Sequence, residues 1–109
     1  MRVQFHWDRE GKLDEQSSCW IRPNQGWGGV NYGMLSLPRI GQEVLVGFVM
    51  GNPDEPVIMS RVFNQTQPVA YKLPDNKTIS QNKSNSSPAA QGFNEVKYED
   101  KAADELVYI

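Results

Sequence analysis

The chain has one cysteine, Cys19, and one histidine, His6. A single cysteine excludes an intrachain disulfide and fits folding in a reducing compartment. With no catalytic partner for it in sight, Cys19 reads as a small buried apolar residue. Long apolar runs are also missing. Nothing approaches the ~20 residues a membrane-spanning helix needs, and the opening MRVQFHWDREG lacks the apolar stretch of a secretory leader. If the protein leaves the cell, another machine must carry it. An excess of one charge is absent as well: the net charge is −2. Residues 1–65 hold six basic and seven acidic side chains, and residues 66–109 hold five and six. Neither half has the field that nucleic acid or an anionic membrane favours.

What remains is a globular composition, 39% hydrophobic and 22% charged over 109 residues. That is enough for one small domain with a modest core. Residues 1–65 read as all-β. Arg2 to Trp7 alternates strictly, with Val3, Phe5 and Trp7 on one face. A polar loop, Asp8 to Ser18, leads to a second strand over Cys19–Arg22. A glycine-rich stretch, PNQGWGGVNYG, precedes a third over Met34–Leu37, stopped by Pro38. Glu43 to Met50 is apolar on both faces, which predicts a central strand, and Gly47 within it predicts a bulge or bend. The turn GNPDE then leads to a fifth strand, Pro56 to Phe63. Five short strands with no helical period predict a small closed barrel, the five-stranded OB-fold, because an open sheet of this size leaves two apolar edges bare.

Composition changes at residues 66–92, where Ser, Asn, Gln, Lys and Pro dominate. Pro68, Pro74 and Pro88 interrupt any regular element, so an extended linker is expected, with Val69-Ala70-Tyr71, Leu73 and Ile79 as apolar anchors along a surface. The last seventeen residues, FNEVKYEDKAADELVYI, read as two strands around a charged turn. In EVKYE, Val96 and Tyr98 point one way and Glu95, Lys97 and Glu99 the other. In ELVYI, Leu106 and Tyr108 share a face opposite Val107 and Ile109. A lone hairpin is barely stable and leaves its edges unpaired. The tail is therefore expected to pair with something outside this chain, as part of an assembly cut from a longer protein.

Four stretches, QFHWDREGKLDEQSSCWIR, LSLPRIGQEVLVGF, GNPDEPVIMSRVFN and GFNEVKYEDKAADELVYI, occur in an order that resembles the VgrG family, the spike proteins of bacterial type VI secretion, related to the cell-puncturing spike of contractile-tailed phages. The resemblance covers essentially the whole chain. It implies an OB-fold domain at 1–65, an extended linker at 66–92, and the first strands of a trimeric β-helical needle at 93–109. It implies a structural, non-catalytic role and a homotrimer in the full-length protein, partnered by the tube protein, the tip protein and effectors. It implies assembly in the bacterial cytoplasm, export by the type VI machine, and transient membrane penetration by the whole spike. Met1 is then a cloning start and Ile109 an engineered stop. On this reading Phe93, Val96, Tyr98, Leu106 and Tyr108 are the subunit-interface residues. The sequence departs from the family at NQGWGGVNYG, where relatives often carry a Trp-Ala-Gly turn, and in the Ser- and Asn-rich stretch 80–92.

Chemistry is sparse. Asp8, Glu10, Asp14 and Glu15 share a loop with Arg9 and Lys12 and lack the spacing of a calcium loop, so they read as a solvated loop. His6 has neither a second histidine nor a cysteine at metal spacing and reads as a surface strand residue. No nucleophile elbow or phosphate loop is present, and GWGG at 26–29 lacks the dinucleotide spacing. No catalytic residue, cofactor or metal is expected. The alternative to a spike component is an OB-type module for nucleic acid or oligosaccharide, using Trp20, Trp27, Tyr32 and Arg22. The charge balance opposes the nucleic-acid form of it.

Overall fold

The computed structural model describes residues 1–88 and 91–109, all of them β or irregular apart from one 3-10 turn. Two compact units divide the chain, Met1–Pro68 and Val69–Ile109.

In the first unit, strands β1 (Arg22–Pro23), β2 (Glu43–Phe48) and β3 (Pro56–Val62) form one sheet in the order β1-β3-β2. β2 and β3 are an antiparallel hairpin. The GNPDE segment closes it: Val49 N–H donates to Glu55 C=O at 3.0 Å, and Glu55 N–H to Asn52 C=O at 3.0 Å. Asn52 Oδ1 accepts the Asp54 N–H, and Gly51 takes φ +74°, a backbone angle glycine adopts without strain. β1 pairs parallel to β3 through Arg22↔Val57 and Pro23↔Ile58.

Three expectations change here. The first strand is not in a ladder. Met1 and Ile21 exchange two hydrogen bonds, at 2.6 and 2.9 Å, but Val3 N–H is taken by the Ser18 hydroxyl at 2.9 Å. The chain then turns at residues 5–8, with Asp8 N–H on Phe5 C=O and the Phe5 and Trp7 rings stacked at 4.7 Å. Side-chain acceptors have replaced the backbone partners a strand needs. The same happens over Met34–Leu37. Gln25 clasps Ser36 through its amide, and Met34 N–H closes a hairpin onto Trp27 C=O. Of Cys19–Arg22, only Arg22 enters a strand. The sheet among the described residues therefore has three strands and no closed barrel.

The second change concerns β2, which is apolar on both faces yet lies at an edge, while β3 is central. The third concerns the bulge. It falls between Leu45 and Val46, leaving Met59 of β3 as the extra residue. Gly47 leaves room for that residue, since a Cβ there would lie 3.0 Å from Met59 Cγ. The buried apolar side chains are Ile21, 2% exposed, and Ile58, 3% exposed, so the core sits between β1 and the middle of β3.

In the second unit, β4 (Ile79–Lys83), β5 (Glu95–Glu99) and β6 (Leu106–Tyr108) form an antiparallel sheet in that order. The tail hairpin is present as β5 and β6. Its turn is held by Asp104 N–H on Lys101 C=O at 2.9 Å, with Ala103 at φ 69°. The hairpin is not alone: β5 finds a second partner in β4, inside the stretch 66–92 that was expected as an extended linker, through five residue pairs from Ile79↔Glu99 to Lys83↔Glu95. The arm continues past the strands, with Ser84 N–H on Asn94 C=O and Ser86 N–H on Gly92 C=O, both 2.8 Å. ISQNK has little strand propensity of its own. It is held by backbone bonds to β5, and residues 72–79 reach it through consecutive tight turns.

Candidate subunit interface

The register of the second sheet decides which side chains share a face. Directly opposed residues lie on the same side. Tyr98↔Val107 and Tyr98↔Ser80 place Tyr98, Val107 and Ser80 together, with Val96 and Asn82. Lys97↔Tyr108 and Glu99↔Leu106 place Leu106 and Tyr108 on the opposite side, with Glu95, Gln81 and Lys83. The predicted interface residues are thus divided. Val96 and Tyr98 point one way, Leu106 and Tyr108 the other, and Phe93 lies just before β5.

The two faces differ in chemistry. The Val96–Tyr98–Val107 side is an apolar stripe, half-buried at Val96 and open at Tyr98 and Val107, which are 48% and 62% exposed, with Ser80 and Asn82 opposite it in β4. The other side carries a polar cluster. Tyr71 lies over it and donates its hydroxyl to both carboxylate oxygens of Glu95 at 2.8 Å. Glu95 is 9% exposed. Lys97 Nζ lies 3.5 Å from the Tyr71 oxygen and 5.0 and 5.1 Å from the Tyr71 and Tyr108 ring centroids. Lys83 Nζ sits 4.3 Å over Phe93 and 5.9 Å from the centre of the Tyr71 ring. A cation over an aromatic face is attracted by its quadrupole. Two lysines, three rings and one buried carboxylate hold this side together. Sequence reasoning singled out Phe93 and Tyr108 here and missed the pairing of Tyr71 with Glu95. The alternation of EVKYE did place Glu95 and Lys97 together. What brings Tyr71 to them is a contact 24 residues away.

At the end of β5, Glu99 has its carboxyl pKa lowered. The first cause is the hydroxyl hydrogen bond from Thr78; the N–H groups of Lys101 and Asp100 and the Lys101 charge add to it, against a smaller opposing effect of burial. The folded pKa lies below the unfolded one. This contact therefore adds stability above the ordinary glutamate value of 4.5 and loses it as pH falls through the folded value. Replacing Thr78 with alanine is expected to flatten the acid limb of the stability–pH profile of the second unit. Urea midpoints measured between neutral and acid pH check this; an unchanged slope counts against it.

The other candidates are structural. Asp8 Oδ1 accepts the N–H groups of Glu10 and Gly11, and Asp14 Oδ1 that of Gln16, so these carboxylates shape their own loop. No group of three metal-ligating side chains occurs among the described residues. His6 Nε2 lies 3.3 Å from Glu43 Oε2 at the surface. Cys19 is exposed rather than buried, because burial in its segment falls on Ile21 alone. Trp20 carries the Arg2 guanidinium 4.5 Å over its ring, whereas Trp27 pairs with Tyr32 edge-on at 5.8 Å. The aromatics proposed for a binding platform are all exposed and belong to two separate contacts.

Residues 1–63 match the family described as the type VI secretion system/phage-baseplate injector OB domain. Similarity to known proteins runs through all 109 residues. The chain is 49% identical to the type VI secretion system spike protein VgrG4b of Pseudomonas aeruginosa, covering 14% of that protein. It is 50% identical over 111 aligned positions to VgrG1a of the same organism, covering 17% of it. It is 42% identical to the actin cross-linking toxin VgrG1 of Vibrio cholerae, covering 10% of it. The chain therefore belongs to the injector OB-domain family, on its VgrG branch. It spans between 10% and 17% of the length of these relatives.

Proposed function

We propose that this chain is a structural part of a type VI secretion spike, with no catalytic role of its own. One observation carries the reading: unbroken similarity, from first residue to last, to proteins named as type VI spike proteins. Residues 1–65 are the OB collar, here with three strands paired and barrel closure left to the assembled protein. Residues 93–109 begin the β-helical needle, and the stretch between them contributes β4 to its first sheet. In the full-length protein three chains associate, with the tube protein, the tip protein and effectors as partners. The spike assembles in the bacterial cytoplasm, is exported by the type VI machine and punctures a membrane. Interlocked chains leave no lateral edge, so they resist unfolding kinetically under load.

The second sheet supports this. Among the described residues β4 and β6 each leave one edge unpaired, and Tyr98 and Val107 are exposed beside a half-buried Val96. Open edges and exposed apolar stripes are liabilities unless something covers them. Phe93, Val96, Tyr98, Leu106 and Tyr108 are proposed to contact sister chains, and because they occupy both faces the sheet meets neighbours on both sides. The test is the mass in solution of this chain and of a version extended past Ile109. The extended form is expected to be trimeric, with cysteines at 98 and at 106 crosslinking between chains. A monomer at both lengths, with no such crosslinks, refutes the proposal.

A further inference from the structure

A ring of three identical chains makes a demand on its surface. It has no two-fold contact, so every interface joins one patch of a chain to a different patch of its neighbour. Each chain must carry two unlike surfaces that fit each other, and the second sheet has a pair of this kind.

The register puts the two patches at opposite ends of the strands. Ile79↔Glu99 and Glu99↔Leu106 mark one end, closed by the turn at 100–105. The turn presents Asp100, Asp104 and Glu105 with one cation, Lys101, and all four residues are exposed. Glu99 and Lys77 are the flanking charges, so carboxylates outnumber lysines at this end. Lys83↔Glu95 mark the other end. Lys83 is exposed there, its Nζ 4.3 Å over the ring of Phe93, which is 51% exposed. The carboxylate beside it, Glu95, is buried and already held by the Tyr71 hydroxyl. Lys97, further along the same face, adds a second cation. One end of the sheet is thus acidic and the other basic and aromatic.

The two ends cannot meet within one chain. The strand from Glu95 to Glu99 separates them by about 13 Å. The ion pair of this unit among the described residues joins Lys72 to Asp75, and Lys83, Asp100, Asp104 and Glu105 take no part in it. These charges are left for a neighbour.

We infer that, in the trimer proposed above and on which this step rests, the acidic turn 100–105 of one chain docks on the Lys83–Phe93 end of the next. Asp104 and Glu105 face Lys83, and the small Ala102 and Ala103 at the tip of the turn pack on the Phe93 ring. Such pairs select the partner and fix its register more than they add affinity. A two-fold contact would set lysine against lysine or turn against turn, which like-charge repulsion opposes.

The test uses the chain extended past Ile109, with Cys19 and any later cysteine replaced by serine. A chain carrying both Lys83→Cys and Asp104→Cys should oxidise to covalent dimers and trimers. The two single variants should crosslink when mixed, and neither should crosslink to itself. Lys83→Glu and Asp104→Lys should each lower the overall association constant about a hundredfold at low salt, because a loss of about fivefold per contact is counted three times in a ring. Combining the two reversals in one chain should restore association. The Asp104 side chain projects from an exposed turn, so its variant should keep the fold, which circular dichroism checks, even if Lys83→Glu disturbs Glu95. A trimeric parent whose positions 83 and 104 do not crosslink, or whose association survives both reversals unchanged, overturns this inference and leaves the trimer standing. A single variant that crosslinks to itself overturns it as well. A parent that is monomeric when extended overturns the trimer and this contact together.

Discussion

Replacing Ile58 with alanine is expected to destabilise the first unit by about 2–5 kcal/mol, enough to unfold much of it at room temperature. Ile58 is central in two senses. It lies mid-way along the middle strand, paired to Val46 on one side and Pro23 on the other, and its carbonyl accepts the Asn24 N–H at 2.7 Å. It is also one of two buried apolar side chains in the unit, the other being Ile21. With so small a core, no neighbouring layer can collapse into the vacated space, and the cavity cost adds to the lost transfer energy. Ile58→Val removes one methylene and should cost about 0.5–1.5 kcal/mol. Denaturant titration followed by tryptophan fluorescence reads this unit selectively, since Trp7, Trp20 and Trp27 all lie in it. Amide exchange of β5 should be unaffected. A loss below about 0.5 kcal/mol for the alanine variant would mean that the unit is held by something other than this core.

The second large effect is expected at Tyr71. Tyr71→Phe deletes one oxygen and leaves the ring under Lys83 and Lys97. It strands the Glu95 carboxylate, buried at 9% exposure, without the hydroxyl that meets both of its oxygens. An orphaned buried acceptor costs about 1–3 kcal/mol, more than the hydrogen bond itself contributes. Tyr71→Phe should therefore accelerate amide exchange across residues 95–99. Glu95→Gln in the same background should recover part of the loss, since a neutral amide is cheaper to leave unpaired than a carboxylate. A double-mutant cycle between positions 71 and 95 should show coupling of about 0.5–3 kcal/mol. Independent, additive effects would show that the hydroxyl and the carboxylate do not act as a unit. Lys97 belongs to the same cluster, so Lys97→Met is expected to weaken it less, removing a cation–π contact while keeping the stem.

The strands that were legible beforehand share one property. EVLVGF, PVIMSRV, EVKYE and LVY combine strand-forming residues with turn chemistry at their ends: GNPDE between the first two and the charged turn at 100–105 between the last two. Each pair is a hairpin of neighbours, so local pattern and final pairing agree. Arg2–Trp7 alternates just as well but has no neighbour in sequence to pair with. Its amides go to Ser18 and to a turn instead. The pattern of Met34–Leu37 predicts a barrel strand, but the Gln25 side chain takes the Ser36 N–H. The residues proposed for the interface are legible as apolar positions in and beside the two tail strands. Their division between two faces is not, because a one-residue change of register between β5 and β6 would move Leu106 and Tyr108 to the other side.

What the amino-acid order determined alone was the class of structure: all-β, without an intrachain disulfide, without apolar helices long enough to span a membrane among the described residues, and of the VgrG branch through motifs that run the length of the chain. These follow from composition, period-two alternation and local turns, whose physics acts within a few residues. Tertiary structure decided that ISQNK is a strand, that β3 rather than β2 is central, and that Tyr71 closes over Glu95. Each of these depends on which distant groups complete a backbone's hydrogen bonds or cover a side chain, and no local pattern encodes that choice.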